Sequence, residues 1–452
     1  LRERYGSVYT VYLGSKPFVV LCGYQAVKEA LVDQGEDFSG RGDFPMITQF
    51  TQGDGIVFSH GGKWKALRRF AIQTLRGFGM GRHRIEERIQ EEAGCMVEEF
   101  AKTKAEPVDP TSLIGRAIFN ITCSIIFGDR FDYEDKKFLT LVDLMNDNFH
   151  HLSSSWVQLY NVFSRVMYYL PGPHNRLKEN FEKLRLFVLE MVKTHQETLD
   201  PNSPRDFIDC FLLKMQQLYN VFSRVMYYLP GPHNRLKENF EKLRLFVLEM
   251  VKTHQETLDP NSPRDFIDCF LLKMQQEKED PLSYFHTNTL VMTTHNLFFA
   301  GTETTNTTLL YGILILMKYP EVQGESFEVH VHEMFPNKAD KDGPHGTRIM
   351  PLIYSVHRDV TQFKDPEVFD PTNFLDKEGS FHRNDAFMPF GTGKRVCLGE
   401  PLARTEIFLF LTTLVQHFAF RPVVPPEEID LSPMAISLVS VPHPFKFRAV
   451  PR

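Results

Sequence analysis

Cys397 is the residue whose setting most suggests chemistry. It lies in the string Phe390-Gly391-Thr392-Gly393-Lys394-Arg395-Val396-Cys397-Leu398-Gly399. Gly391, Gly393 and Gly399 let the backbone bend and approach something bulky. Arg395 puts a cation two residues before the sulfur. The apolar periodicity of Leu402 to Phe420 predicts a helix, so Cys397 falls just ahead of a helix N-terminus. Orphan N–H groups and the helix dipole there favour a thiolate over a thiol. A thiolate in a shaped turn is a metal ligand or a nucleophile; the plainer alternative is a buried structural cysteine.

Two further clusters carry reactive or charged groups. Ala300-Gly301-Thr302-Glu303-Thr304-Thr305 interrupts an apolar helical pattern from Thr287 to Tyr319. Gly and Thr are poor helix formers, and Thr hydroxyls can bond back to carbonyls. The string is either a packing point or a groove that admits a ligand beside a hydroxyl and a carboxylate. In Gly62 to Phe78, Trp64 and Arg68 share a helix face, being four apart. Seven Lys or Arg and no acid lie between Lys63 and Arg84. They form either a solvated basic face or a docking face for an acidic partner.

The Cys397 string resembles the haem-binding loop of cytochrome P450 monooxygenases (Phe-x-x-Gly-x-Arg-x-Cys-x-Gly) at every defined position. Residues 300–305 resemble that family's oxygen-activation motif, and Trp64-x-x-x-Arg68 resembles its propionate-binding helix. Asp365 to Phe374 is similar to the loop before the haem motif in the vertebrate microsomal branch, of family-2 type. The resemblance implies a mainly α (α+β) fold, with haem b between the long helix and the Cys-loop helix. Small β-sheets are implied at the N-terminal and C-terminal ends. Cys397 would be the axial thiolate, whose electron donation favours O–O cleavage. Trp64, Arg68 and Arg395 would hold the propionates, and Phe390 would pack near the sulfur. Gly391, Gly399 and Ala300 would border the cofactor. Thr304 and Glu303 would manage dioxygen and its protons. The reaction implied is insertion of one oxygen atom into a small apolar substrate. Electrons would come from NADPH through NADPH-cytochrome P450 reductase, and the family also admits cytochrome b5. Microsomal members face the cytosol from the endoplasmic reticulum membrane, on an N-terminal anchor that these residues do not include.

The rest of the chain must position those groups. It has 452 residues, 42% apolar and 13% aromatic, enough for a large core. The resemblance makes it one domain over 1–452. A net charge of −6 gives no global signal for nucleic acid, and six cysteines show no disulfide framework. No run of 18 apolar residues predicts a membrane span. Residues 8 to 22 read as a β-hairpin around Gly14, and Tyr24 to Gln34 as a short helix. Phe38 to His60 is a Gly-rich, Phe-bearing loop of a length that usually carries function. Arg82 to Lys104 and Asp109 to Phe127 read as helices, and residues 428 to 447 as a closing hairpin. Candidate pocket walls are Phe44 to Phe58, Phe298 to Ala300, 349–353 and 433–436. The sequons at Asn120 and Asn306 fall in apolar helical stretches and read as chance.

Two segments depart from the family pattern. Residues 217–275 repeat 158–216 at all 59 positions; true repeat arrays drift and need several units. The pair reads as a duplicated exon or an assembly error, with one copy in the native position. Residues 324–346 are polar and non-periodic where the family carries a helix with Glu-x-x-Arg. That string recurs only as Glu182 to Arg185 and Glu241 to Arg244, on the wrong side of the long helix. Its absence predicts a Cys loop lacking its usual salt-bridge braces. His330-Val331-His332-Glu333 lacks the spacing and third ligand of a metal site. Beside the monooxygenase, two alternatives stand: a haem-deficient product of such a gene, and a non-catalytic helical binding protein.

Overall fold

The computed structural model describes residues 1–14, 16–42, 44–45, 53, 55–77, 83–126, 130–136, 138–139, 142–143, 146, 159, 269–270, 273–274, 277, 283–285, 287–321, 337–338, 348–436 and 439–452. Nearly all of both repeat copies, their Leu-Pro-Gly-Pro turns, both Glu-x-x-Arg strings and His330 to Glu333 lie outside these residues.

Alternating side chains produce the first element. Strands β1 (Val8–Leu13) and β2 (Lys16–Cys22) form the expected antiparallel hairpin, from Val8 opposite Leu21 to Leu13 opposite Lys16. Strand β5 (Arg348–Leu352) adds to β2 in parallel. Two further short strands complete the sheet: β3 (Gly40–Arg41), inside the long loop, and β4 (Asn337–Lys338), inside the 324–346 segment. The order is β1-β2-β5-β4-β3. Thus two residues of the 324–346 segment tie Arg41's backbone to the sheet.

Five helices build the body: α1 (Gly61–Gly77), α2 (His83–Lys102), α3 (Thr111–Ile126), α4 (Thr287–Lys318) and α5 (Glu400–His417). All five match the periodicity, within a few residues at their ends. Helix α3 is apolar nearly all round, and its side chains are mostly buried against α2 and α4. Helix α4, at 32 residues, is about 48 Å long. Helix α5 packs on both α4 and α2, which places the segment after Cys397 against the long helix. Among the described residues, no helix is long and apolar enough to cross a membrane.

The C-terminal end differs from the reading in two places. The predicted helix from Leu402 stops at His417, and β6 (Phe418–Pro422) begins there. Phe418 and Phe420 are buried on either side of a half-buried Ala419. That period of two is a strand signal, masked in sequence by the helical pattern running into it. Strand β6 pairs with β9 (Phe447–Pro451), so the ends of the 418–451 segment meet in one sheet. The closing hairpin is shorter than 428–447: β7 (Pro433–Ile436) against β8 (Ser440–Pro442).

Asn120 is buried, donating to Glu92 (3.3 Å) and to the Phe131 carbonyl (2.9 Å), and Asn306 is also buried. Neither sequon is accessible for glycosylation. At the end of the second repeat copy, Phe270 packs its ring 5.0 Å from both Phe70 and Phe285. The second copy therefore contributes to the core where it leads into α4.

Candidate active site

The site forms where α1, α4 and the Cys loop converge. Arg395 reaches into the N-terminal loop, donating from Nε to the Ser39 carbonyl (2.7 Å) and from Nη2 to the Ser59 carbonyl (2.8 Å). Its guanidinium lies 3.8 Å from the Trp64 ring centroid, a desolvated cation–π geometry. Arg68, one turn along α1, donates to the Val396 carbonyl. The Cys397 N–H donates to the Phe390 carbonyl (2.9 Å), closing the loop on itself. At its edge, Glu36 bridges Lys394 and Lys65, each at 2.8 Å. Those hydrogen bonds, Lys394 foremost, lower the Glu36 carboxyl to about 2.

This bracing does not depend on a Glu-x-x-Arg segment, whose salt bridges the sequence reading expects to be missing. The Cys loop is held from the N-terminal side, by main-chain carbonyls of 39–59 and by α1. The preceding loop is held locally: Asn373 accepts from the Lys364 N–H (2.7 Å) and donates to the Lys364 carbonyl (3.0 Å). Such side-chain-to-backbone bonds substitute for ion pairs wherever a turn presents its amides.

A cavity of about 1580 Å³, counted to its open mouth, lies between these elements. Cys397, a half-buried thiol outside any disulfide, lines it with Phe390 and Gly399, and so do Ala300, Gly301 and Thr304 of α4. Trp64, Arg68 and Arg395 line it as well. Of the ten residues singled out in the sequence, eight meet here. Gly391 does not line the cavity; it turns the loop at φ 73, its N–H donating to the Met388 carbonyl (3.0 Å). Glu303 does not line it either. Burial raises its carboxyl to about 7, a rise that the nearby Asn306 and Thr307 side chains one turn along α4 offset in part.

The structure adds residues the sequence did not single out. Arg41 lines the cavity, almost fully buried, with Nε donating to the Val57 carbonyl (3.0 Å). Its signal was the one Lys or Arg between Phe38 and His60, set between two glycines. Glu406 of α5 and Thr305 of α4 also line it, joined by a hydrogen bond from Thr305 Oγ1 to Glu406 Oε2 (3.2 Å). Both are buried, and burial pushes the Glu406 carboxyl up to about 8. The signal was an acid on the apolar stripe of α5 that also carries Ile407, Phe410 and Leu414.

These residues fit a haem. Three guanidinium groups, Arg41, Arg68 and Arg395, line the cavity and suit carboxylate side groups. One thiol and a stretch of small residues share the lining, and the remainder is largely apolar. Thr304, like Thr305, brings a hydroxyl of α4 to the lining; it donates to the Ala300 carbonyl (2.7 Å) and leaves its lone pairs available.

Comparison with known proteins agrees. A family model described as cytochrome P450 matches residues 1–217, 214–328 and 339–449. The chain is 42% identical to cytochrome P450 2F2 of Mus musculus over 487 residues, covering 99% of this chain and 87% of that protein. It is 42% identical to cytochrome P450 2F1 of Homo sapiens over 493 residues, covering 100% and 88%. For cytochrome P450 2G1 of Oryctolagus cuniculus the identity is 40% over 493 residues, with the same coverage of 100% and 88%. Cysteine wall, arginine cluster, long helix and sequence relationship converge: the chain belongs to the cytochrome P450 family of haem-dependent monooxygenases, among its vertebrate family-2 members.

Proposed function

We propose that this chain inserts one oxygen atom from dioxygen into a small apolar organic substrate, using electrons from NADPH passed on by NADPH-cytochrome P450 reductase. The observation that carries the reading is the shared cavity of Cys397, Thr304 and three arginines. Cys397 would ligate the haem iron, with Arg395, Arg68 and Trp64 holding the propionates. Haem would supply the redox centre at which dioxygen is activated. Thr304 would hold a proton at Oγ1 beside that centre. Glu303, behind it on α4 and near half-protonated at neutral pH, would replenish protons through water. Ile56, Val57 and Phe58 would orient the substrate and keep water out.

The exposed cations Lys65 and Arg69 of α1, on the helix that braces the Cys loop, suit an acidic electron donor, cytochrome b5 included. Placement at the endoplasmic reticulum membrane, facing the cytosol, belongs to this reading.

One observation favours a second reading. The 324–346 segment replaces the Glu-x-x-Arg helix, which fits a chain that folds without retaining haem. The test is expression followed by the spectrum of the reduced, CO-bound protein. A red-shifted Soret band supports the monooxygenase, and absence of haem uptake overturns it.

A further inference from the structure

The segment that leads into the Cys loop ends on an imidazole. Met388, two residues before Phe390, is buried, and its N–H donates to Nε2 of His357 (3.0 Å). His357 closes the short helix Ile353–His357 and is the one buried histidine among the residues whose burial is described. Its ring centroid lies 5.8 Å from that of Phe387 and 6.2 Å from that of Phe363, so aromatic rings flank the bond. A ring nitrogen accepts only when it carries no proton, so the contact fixes Nε2 as the bare nitrogen.

From Met388 the bonds run on to the sulfur. The Met388 carbonyl accepts from the Gly391 N–H (3.0 Å), and the Phe390 carbonyl accepts from the Cys397 N–H (2.9 Å). Upstream, the Ala386 N–H donates to Asn384 Oδ1 (2.9 Å), and Asn384 Nδ2 donates to the Gln362 carbonyl (3.0 Å). Residues 384–388 are thus tied twice to residues 357–362. That stretch is itself anchored, since Asp359 takes Arg2 (3.2 Å) and the Thr361 hydroxyl (2.8 Å).

We propose that His357 is a positioning residue for Cys397. It holds the Met388 amide and so sets the Phe390–Gly391 turn on which the Cys397 N–H closes. The inference rests on Cys397 serving as the haem thiolate, as proposed above. Arg395 and Arg68 brace the Cys loop at residues 395 and 396, from the N-terminal side; His357 braces its other leg. An apolar side chain at 357 would fill the space between the two phenylalanines but leave the Met388 N–H buried without its acceptor. Such a group shifts until it finds water or another partner, and the turn that carries the sulfur shifts with it.

The test uses the full chain with two variants. His357→Leu removes the acceptor at similar size, and His357→Gln keeps one. Hydrogen exchange at the Met388 amide should quicken about tenfold or more in His357→Leu, with the Gly391 and Cys397 amides quickening alongside. In His357→Gln all three should stay near the parent rate. With haem bound, the share of CO-bound protein that shows the red-shifted Soret band should fall severalfold in His357→Leu only. In the parent, the nitrogen-15 shift of His357 should mark Nε2 as unprotonated, a reading that needs no variant to fold. A protonated Nε2, or unchanged Met388 exchange in His357→Leu, overturns the contact. Equal losses in the two variants overturn the acceptor role in favour of packing. Quickened Met388 exchange that leaves the Cys397 amide and the Soret band unmoved overturns the positioning role. Failure of the parent chain to take up haem would instead strike the functional reading, while exchange at Met388, Gly391 and Cys397 still decides whether His357 holds the loop.

Discussion

Two parts of the cavity lining, the Cys loop and the middle of α4, are held in different ways. The wall with Cys397 is held by backbone groups. Arg395 and Arg68 end on carbonyls of residues 39, 59 and 396, and Cys397 N–H closes on Phe390. The wall with Thr304 is one continuous helix, whose hydroxyls fold back on their own turns: Thr302 on Phe298 (2.9 Å), Thr304 on Ala300 (2.7 Å), Thr308 on Thr304 (2.8 Å). A loop has no internal ladder of hydrogen bonds, so its shape depends on remote partners. A helix satisfies its own backbone, and its side chains are free to serve chemistry.

That contrast sets the order of expected damage. Gly393→Ala should hurt most: the turn stands at φ 72, and a Cβ would lie 1.8 Å from the Leu31 carbonyl oxygen. A loss of about 3 kcal/mol or more is expected by denaturant unfolding, with haem retention lost alongside. Survival of this variant at parent stability would break the claim that remote backbone contacts shape the loop. Arg395→Lys keeps the charge but loses the planar fork over Trp64 and at least one carbonyl bond. About 2–4 kcal/mol should go, read by unfolding and by cofactor content.

Glu406→Gln probes the seam between the walls. A carboxyl raised to about 8 by burial binds its proton more tightly in the folded chain. Its contribution to stability is therefore complete below the ordinary glutamate range and is lost as pH rises toward 8. Thermal unfolding of the Gln variant should lose that component of the pH slope; an identical slope would place the charge elsewhere. Thr304→Val should cost within about 0.5 kcal/mol of stability, because its bond is local to one helix turn. The same change should lower product formed per NADPH consumed severalfold. Smallest of all is Gly399→Ala, whose Cβ would meet Cys397 Sγ at an ordinary 3.9 Å. Little change in stability is expected there, which separates the two glycines of one string.

The helices α1 to α5 and the first hairpin were readable because their patterns are local: apolar residues recur at 3.6 or at 2. Strand β6 was not, since Phe418 and Phe420 continue an apolar helix run and only the partner β9 selects extended backbone. The Cys loop was readable as a string because glycines, cation and thiol lie within ten residues. Arg41, Asn296 and Glu406 were not, because each matters through a partner outside any periodic pattern: Arg41 at Val57 within one irregular loop, Asn296 at Val57 and Glu406 at Thr305 far along the chain.

Residue type and short spacing singled out Cys397, Arg395, Thr304 and the Trp64–Arg68 pair, and the resemblance of their motifs pointed to the family. Tertiary structure alone decided what braces them. The Cys loop leans on carbonyls of residues 39 and 59, and Glu303 stays off the cavity lining. The reason is physical: a hydrogen bond between residues hundreds of positions apart leaves no periodic trace, because either partner alone is an ordinary polar residue until packing excludes water from both.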